Sequence, residues 1–540
     1  MVLEQARIGS NRAPGLTPLA WAAKGGHEEV VAMLLERDDV DSSAADGRGQ
    51  TPLFIAAREG HEGIVKLLLG RNNIIFNTAA TDAKAPLFIA PGVGNEGGAE
   101  MQLELQQVNP NTADNDGRTP LFIAALGGHK GVVKILLERN DVNPNTADRF
   151  GQTPLFVAAQ EGYKGVVKIL LERKDVNPNT ADQYDQTPLF VVARNGHEPI
   201  VRMLLERMDV NPNTVDRDGK TPLYIAAWME HEGVVKRLLS REHTNPNTTN
   251  KYGKTPLSTA VKNGHEGMVK VLLERNDVNP NTTNQYGETP LFIAAQGDNR
   301  GIVKMLLERM DVNPNTVDMY GETPLSIAAR KGHEGVVKRL LSREHANPNT
   351  SNKYGETPLT TAVRDGREGI VEVLLEHNDV NPNTTNQYGE TPLFIAAQGG
   401  NRGIVKILLG RLDLNPNIGD EDGQTPLFIA ACNGYKRVVK MLLERKDVDP
   451  EAHDHYGETP LLTAVSEGHL GVVKILLERV DLAVKTALTL ARQRGHNSLV
   501  KYLSEHISLL PTFDGDEFNA RNSQAGTNPN ERPSKRRRRF

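Results

Sequence analysis

One tripeptide recurs along this chain at a constant interval. Thr-Pro-Leu begins at Thr17, Thr51, Thr119, Thr153, Thr187, Thr221, Thr255, Thr289, Thr323, Thr357, Thr391, Thr425 and Thr459, with Ala85-Pro86-Leu87 filling the gap, so that each step is 34 residues. A fifteenth, shorter unit opens at Thr486-Ala487-Leu488 after a step of 27. A unit of this size cannot bury an apolar face alone and must stack on its neighbours. The 540 residues therefore describe one architecture grown by repetition rather than several globular domains.

The unit that contains Thr153 shows what each copy encodes. Thr153 is an N-cap candidate and Pro154 suits the first helical position, where a missing N–H costs nothing. Leu155, Val157, Ala158 and Ala159 give a short apolar face whose small residues allow close helix approach, and Gly162 ends the helix. Val166, Val167, Ile169, Leu170 and Leu171 then form the wide buried face of a second helix. Asn177-Pro178-Asn179-Thr180 disfavours helix and reads as an extended finger. A Pro/Asn/Gly stretch in every copy rules out the tetratricopeptide alternative, which spends nearly the whole period on helix.

Thr221-Pro222-Leu223, Ala226-Ala227 and the pairs Gly60-His61, Gly128-His129 and Gly264-His265 resemble ankyrin repeats over about residues 13 to 505, and the Asn-Pro-Asn-Thr finger resembles arrays common in fungal proteins. The resemblance implies an all-α ankyrin repeat solenoid of helix-turn-helix units with projecting β-hairpin-like fingers. Two departures stand out. The usual histidine after Thr-Pro-Leu is replaced by Phe54, Phe122, Phe156, Phe190, Tyr224, Phe292, Phe394 or Phe428, which exchanges imidazole hydrogen bonds for apolar packing. The usual glycine after helix two is replaced by Glu138-Arg139-Asn140-Asp141 and its equivalents, so that this loop is expected to differ from the family's.

Residues 1–16 read as a partial cap or N-terminal segment and residues 17–506 as the array of about fifteen units. The third unit, about 85–113, is degenerate. Pro91 falls inside its first helix, which costs about 3 kcal/mol or more, and a soft joint is expected there between units one and two and the rest. Asn497, Lys501, Ser504 and Glu505 give the last helix a polar terminal face. From about residue 507 the Pro, Gly and Asn content predicts a disordered tail to residue 540, with Lys535, Arg536, Arg537, Arg538 and Arg539 as a nuclear import candidate.

A net charge of −5 excludes an array that binds nucleic acid or anionic membrane through bulk positive charge. Cys432 is the single cysteine, so no intramolecular disulfide is possible, and it reads as a helix-surface residue. No basic and apolar leader and no run of 18 apolar residues is present, and a cytoplasmic or nuclear protein is expected. Gly92-Val93-Gly94-Asn95-Glu96-Gly97 is a literal G-x-G-x-x-G, but the repeat register places Gly94 between two helices with no parallel strands around it. His27, His61, His129, His197, His231, His265, His333, His469 and His496 share one repeat position, which marks packing or capping rather than catalysis. His453-Asp454-His455 lacks further ligands nearby in sequence. Glu62/Lys66, Glu232/Lys236, Glu266/Lys270 and Glu334/Lys338 have the spacing of helix-stabilising pairs. With no nucleophile-and-base set and no phosphate loop, the chain is expected to be no enzyme, with no cofactor and no metal.

The informative pattern is a column of aromatics at the finger tip: Phe150, Tyr184, Tyr252, Tyr286, Tyr320, Tyr354, Tyr388 and Tyr456. The resemblance implies that such tips line a concave groove and touch a partner, one ring per layer about 10 Å apart. The rings have a second possible use, packing on the adjacent finger. Trp228 and Met229 replace polar pairs such as Arg194-Asn195 and Lys262-Asn263, which suggests either a contact hot spot or repacking around Glu230. The expected function is a monomeric, non-catalytic scaffold that binds a protein partner. Two rivals are a regulatory array belonging to a larger signalling or enzymatic protein and a nuclear factor acting through the basic tail.

Overall fold

The computed structural model describes residues 15–70, 108–479 and 484–509. They are all-helical, with 28 helices in fourteen pairs and no strand among the described residues. They divide into two compact bodies, one ending at Lys353 and one starting at Tyr354. The first holds nine pairs, from Pro18–Gly25 to Glu334–Leu341, and the second holds five, from Pro358–Arg364 to Asn497–Leu509.

The first helices that follow Thr17 to Thr459 start as the sequence requires, whereas Thr486 lies inside helix Val484–Arg494. Thr153 is extended at φ −95°, its hydroxyl accepts the Phe156 N–H at 3.2 Å, and Pro154 follows. The phenylalanines that replace the family histidine sit at the layer interfaces: Phe54, Phe122, Phe156, Phe190, Phe292, Phe394 and Phe428 are all fully buried. Second helices contribute pairs such as Val166/Val167 and Ile302/Val303, also buried. Within each body, first helices pack on first helices and second on second, which is the repeat-to-repeat stacking the period demands.

The histidine column is an interlayer tie. His197 Nε2 lies 3.2 Å from the Gln160 carbonyl, His231 Nε2 3.0 Å from Arg194, and His469 Nε2 3.0 Å from Cys432, each carbonyl being at the end of the preceding layer's first helix. These carbonyls have no partner inside their own helix, so the imidazole supplies one. Cys432 is only 9% exposed, a correction to the helix-surface reading. It is small enough to sit against the following layer at the point where His469 meets its carbonyl.

The loop after helix two is held by an arginine. Arg275 grips Asp277 through two hydrogen bonds and donates to the Leu239 carbonyl of the preceding layer at 2.7 Å. Arg139, Arg173, Arg411 and Arg445 make the same pair of contacts. A cation thus occupies the negative end of a helix in place of a glycine cap. The arginine hydrogen bonds hold Asp141, Asp175, Asp277, Asp311 and Asp447 below the ordinary carboxylate value of 3.8. A lowered folded pKa stabilises above the unfolded value, and that contribution disappears as pH falls through the folded one. Urea midpoints are therefore expected to be flat from pH 7 to about pH 5 and to drop below about pH 4. Asp277→Asn should lower the midpoint at pH 7 and lower it less at pH 3.

Glycines at the start of helix two seat the preceding layer. A Cβ on Gly301 would collide with the Glu266 carboxylate, and one on Gly131 with that of Glu62. Of the four expected Glu/Lys pairs, Glu232/Lys236 at 3.7 Å and Glu334/Lys338 at 2.6 Å form. Glu62 and Glu266 lie instead over these glycines of the next layer.

Most of the degenerate third unit, on which the expected joint rests, lies outside the described residues, and the layers that flank it meet directly. Helix Pro52–Glu59 packs directly on Pro120–Leu126, and Glu62–Leu69 on Lys130–Leu137. His129 Nε2 lies 2.8 Å from the Arg58 carbonyl, Arg139 donates to Leu69, and Asn115 N–H donates to the Arg48 carbonyl at 2.9 Å. These ties equal those between consecutive units elsewhere, so units two and four are neighbours. Pro91 and the Gly92–Gly97 motif lie outside the described residues. Deleting residues 74–107 removes one full period of 34 and leaves Gly70-Arg71-Asn72-Asn73-Val108, which matches Glu138-Arg139-Asn140-Asp141-Val142. This variant is expected to keep the unfolding midpoint of the full chain, and a collapse of that midpoint would contradict the direct junction.

The last helix runs to Leu509, slightly past the expected boundary at 506. No described helix is long and apolar enough to cross a membrane.

Candidate functional site

Each finger is built as a rigid turn. In the finger of unit eight, Asn250 Oδ1 accepts from the Tyr252 N–H at 2.9 Å and the Lys254 N–H at 3.0 Å, and Gly253 adopts φ +74°. Asp148, Asp182, Asp318 and Asp454 do the same in their own fingers. The Asp454 carboxylate of the His453-Asp454-His455 triplet is thus engaged in its own turn.

Neighbouring fingers are joined twice. The tip carbonyl accepts from the next finger: Gln183 N–H to Phe150, Gln285 N–H to Tyr252 at 3.0 Å, Met319 N–H to Tyr286 at 2.8 Å, and Glu421 N–H to Tyr388 at 3.0 Å. At the base, the second asparagine of Asn-Pro-Asn bridges forward. Asn281 Nδ2 donates to the Asp311 carbonyl at 2.6 Å and its Oδ1 accepts the Asn313 N–H at 2.8 Å. The motif read as an extended finger is therefore an asparagine ladder. Its first asparagine closes the local turn, as Asn279 Oδ1 does for Asn281 N–H at 2.9 Å.

On this frame the tyrosine rings are held outward. Tyr184, Tyr252, Tyr286, Tyr320, Tyr354, Tyr388 and Tyr456 are 41% to 79% exposed, Tyr388 the least and Tyr456 the most. Cations flank several of them. Lys353 Nζ lies 4.3 Å from the Tyr320 ring centre, Arg217 lies over Tyr184 at 5.8 Å, and Lys251 and Lys254 lie over Tyr252 at 5.2 and 5.9 Å. Such contacts contribute about 0.5–1 kcal/mol each at exposed sites.

The same column holds Asp116 and Asp218, which reading for aromatics alone passes over. Asp116 pairs with Arg149 at 2.8 Å, and Asp218 with Lys220 at 2.8 Å and Lys251 at 2.6 Å. Hydrogen bonds from the two lysines lower Asp218 to about 2.

Trp228 and Met229 are both exposed, at 44% and 47%. In sibling layers the Trp228 position reaches back to the residue before the N-cap threonine: Arg194 to Gln186 at 2.9 Å and Arg330 to Glu322 at 2.7 Å. Here Lys220 Nζ lies 5.0 Å from the Trp228 ring centre instead. Glu230 has φ +62°, where most layers carry glycine. Lys535–Arg539 lie outside the described residues. Among the described residues no cluster of three His, Cys, Asp or Glu side chains is placed to hold a metal.

The arrangement is a set of outward-facing aromatic and charged side chains on hydrogen-bonded turns. Comparison with solved structures finds the ankyrin repeat domain of Bcl-3, described as a unique member of the IkappaB protein family, at 25% identity, with 42% of this chain and 99% of that chain covered and a TM-score of 0.39. No curated protein matches the chain. The family described as ankyrin repeats in three copies matches residues 1–80, 87–182, 174–250, 231–318, 310–386, 378–454 and 446–512. With matches over most of its length and the two-helix layers described above, the chain belongs to the ankyrin repeat family.

Proposed function

We propose that the chain is a non-catalytic binding scaffold that holds a protein partner on its finger tips and on the exposed end of the first helices. Ankyrin repeats are in general protein-interaction modules, and the repeat fold supplies surface rather than a reaction centre. The observation that carries the reading is the tyrosine column, exposed on turns already fixed by hydrogen bonds within and between fingers. A tyrosine on a fixed backbone loses little freedom on binding while offering a large amphipathic contact. Repetition multiplies modest contacts into a useful total.

The test is affinity capture from cells with the intact chain and with a variant in which Tyr286, Tyr320, Tyr354 and Tyr388 are all alanine. These rings are exposed, so circular dichroism and thermal midpoint should change little. At least one partner recovered by the intact chain is expected to fall by about tenfold or more, in line with the loss of contact hot spots. Retention of every partner at equal yield ends the tyrosine reading.

A further inference from the structure

The array carries its own control. A position that repeats from layer to layer shows what stacking requires, and a layer that departs at several positions together answers to another demand. Unit seven and its junction with unit eight depart most. Glu230 occupies a left-handed position held by Gly60, Gly196 and Gly264 elsewhere, a conformation that strains an L side chain. His265 makes no carbonyl tie; it sits 3.6 Å from Glu230 Oε2, and its Nδ1 is buried without a partner. Tyr224 stands where most layers place phenylalanine and accepts from Asn250 Nδ2 at 3.0 Å. The site of the Gln186/Arg194 and Glu322/Arg330 pairs holds Lys220/Trp228 and then Lys254/Lys262.

These departures join into one surface. Lys220 lies over Trp228, Asp218 links Lys220 to Lys251, Lys251 and Lys254 flank the Tyr252 ring, and Lys254 stands beside Lys262. Asp218 satisfies Lys220 and Lys251. Lys254 and Lys262 have no carboxylate within ion-pair distance among the described residues. Burial and the neighbouring Lys262 charge push Lys254 below its usual value against the weaker opposing pull of the Glu288 carboxylate, and two like charges stand together where sibling layers hold a matched pair. An apolar pair, Trp228 and Met229, is exposed at the same place.

We propose that the patch formed by Lys220, Trp228, Lys251, Tyr252, Lys254 and Lys262 receives an acidic peptide segment of the partner. Its carboxylates meet Lys254 and Lys262, and an apolar side chain lies against Trp228 and Met229. The proposal rests on the binding-scaffold reading and names the chemistry of the bound segment. The positive region is short. The next layers carry Glu288 and Glu322 in the Lys254 column, Asp185 lies in the preceding finger, and Glu230 closes the other end of the first helix. An evenly charged nucleic-acid backbone would run into these carboxylates, whereas a brief acidic run in a peptide ends before them.

The experiment pans short random peptides displayed on phage against the full-length chain and measures the affinity of the enriched sequences. The enriched peptides are expected to combine several Asp or Glu residues with an aromatic or aliphatic one. They should bind the double variant K254M/K262M about tenfold or more weakly, while K134E/K168E, which alters charge on second helices elsewhere, binds them within about twofold of the unaltered chain. Methionine keeps the aliphatic stem of each lysine, and an unchanged melting midpoint separates lost contact from lost fold. No enrichment, enrichment without acidic residues, equal weakening by K134E/K168E, or stronger competition by a single-stranded oligonucleotide of matched charge overturns the proposal. Peptide failure with partner capture still sensitive to the four tyrosines would leave the scaffold reading standing. Peptide success with capture indifferent to them would leave the patch standing and remove the tyrosine row.

Discussion

Phe292→Ala is expected to destabilise its layer by about 3–5 kcal/mol, the range for deleting a fully buried aromatic ring. The ring is 2% exposed, in helix Pro290–Gln296, which packs against Pro256–Asn263 on one side and Pro324–Lys331 on the other. In both flanking layers the equivalent position is a serine, Ser258 and Ser326. Neither can spread into the space the ring leaves, and Ser258 is committed to a capping box with Thr255, so the loss should fall toward the upper end. Because each layer contacts only its neighbours, the effect is local at first. Hydrogen exchange should accelerate in the units starting at Thr255, Thr289 and Thr323 well before the units near Thr153, and the main thermal transition should broaden or split. Uniform acceleration along the chain would show that the layers melt as one block.

Gly389→Ala is expected to cost about 2 kcal/mol or more, although the residue sits on an open finger. Its φ is +75°, a region in which an L side chain pays about 1–2 kcal/mol. An added Cβ would also lie 2.8 Å from Glu421 N and 2.9 Å from the Asp420 carbonyl carbon. Those are backbone atoms of the next finger, so it is the finger that must move, weakening the Glu421 N–H bond to the Tyr388 carbonyl. One natural departure gives the direction. Asp185 takes the corresponding position with φ +62°, and the Arg217 N–H to Tyr184 carbonyl distance beside it is 3.2 Å, against 2.7 to 3.0 Å at Gln183, Gln285, Met319 and Glu421. A urea midpoint for Gly389→Ala equal to that of the intact chain would show that the fingers are not mechanically coupled.

Much of the fold was legible because its causes are local. Thr-Pro at a helix start, alanines on one face and a closing glycine act within a few residues, and a constant period says that they are stacked. Burial of Phe54 and its equivalents also followed from the column, since an apolar ring repeated at one position of many layers has few other places to go. What escaped were bonds whose partners lie one copy away. Asn281 meets Asp311 and Asn313, Arg275 meets Leu239, and a cradle over Gly301 holds Glu266. A strict period reports that such a residue matters in every layer but does not say which neighbour it touches. The direct contact of units two and four was hidden for a related reason, because equal spacing along the chain suggests an equal order in space.

In the candidate site, aromaticity drew attention to Tyr252 and Trp228, whereas Lys220, Lys251, Lys254 and Lys262 passed as ordinary solvated charge. Lysines are common on any surface. Only their convergence on two rings and on each other, across residues up to 42 positions apart, separates them from the rest.

The seam between units two and four has a consequence for how such a protein is inherited. Most described layers within a body bond to the preceding copy through a histidine tie, an arginine clasp or a finger bond, so a genetic exchange that drops or duplicates whole periods tends to bring such bonds together again at its new boundary. Copy number can then drift without passing through misfolded intermediates, and the length of the docking surface becomes a quantity that selection can adjust in whole steps.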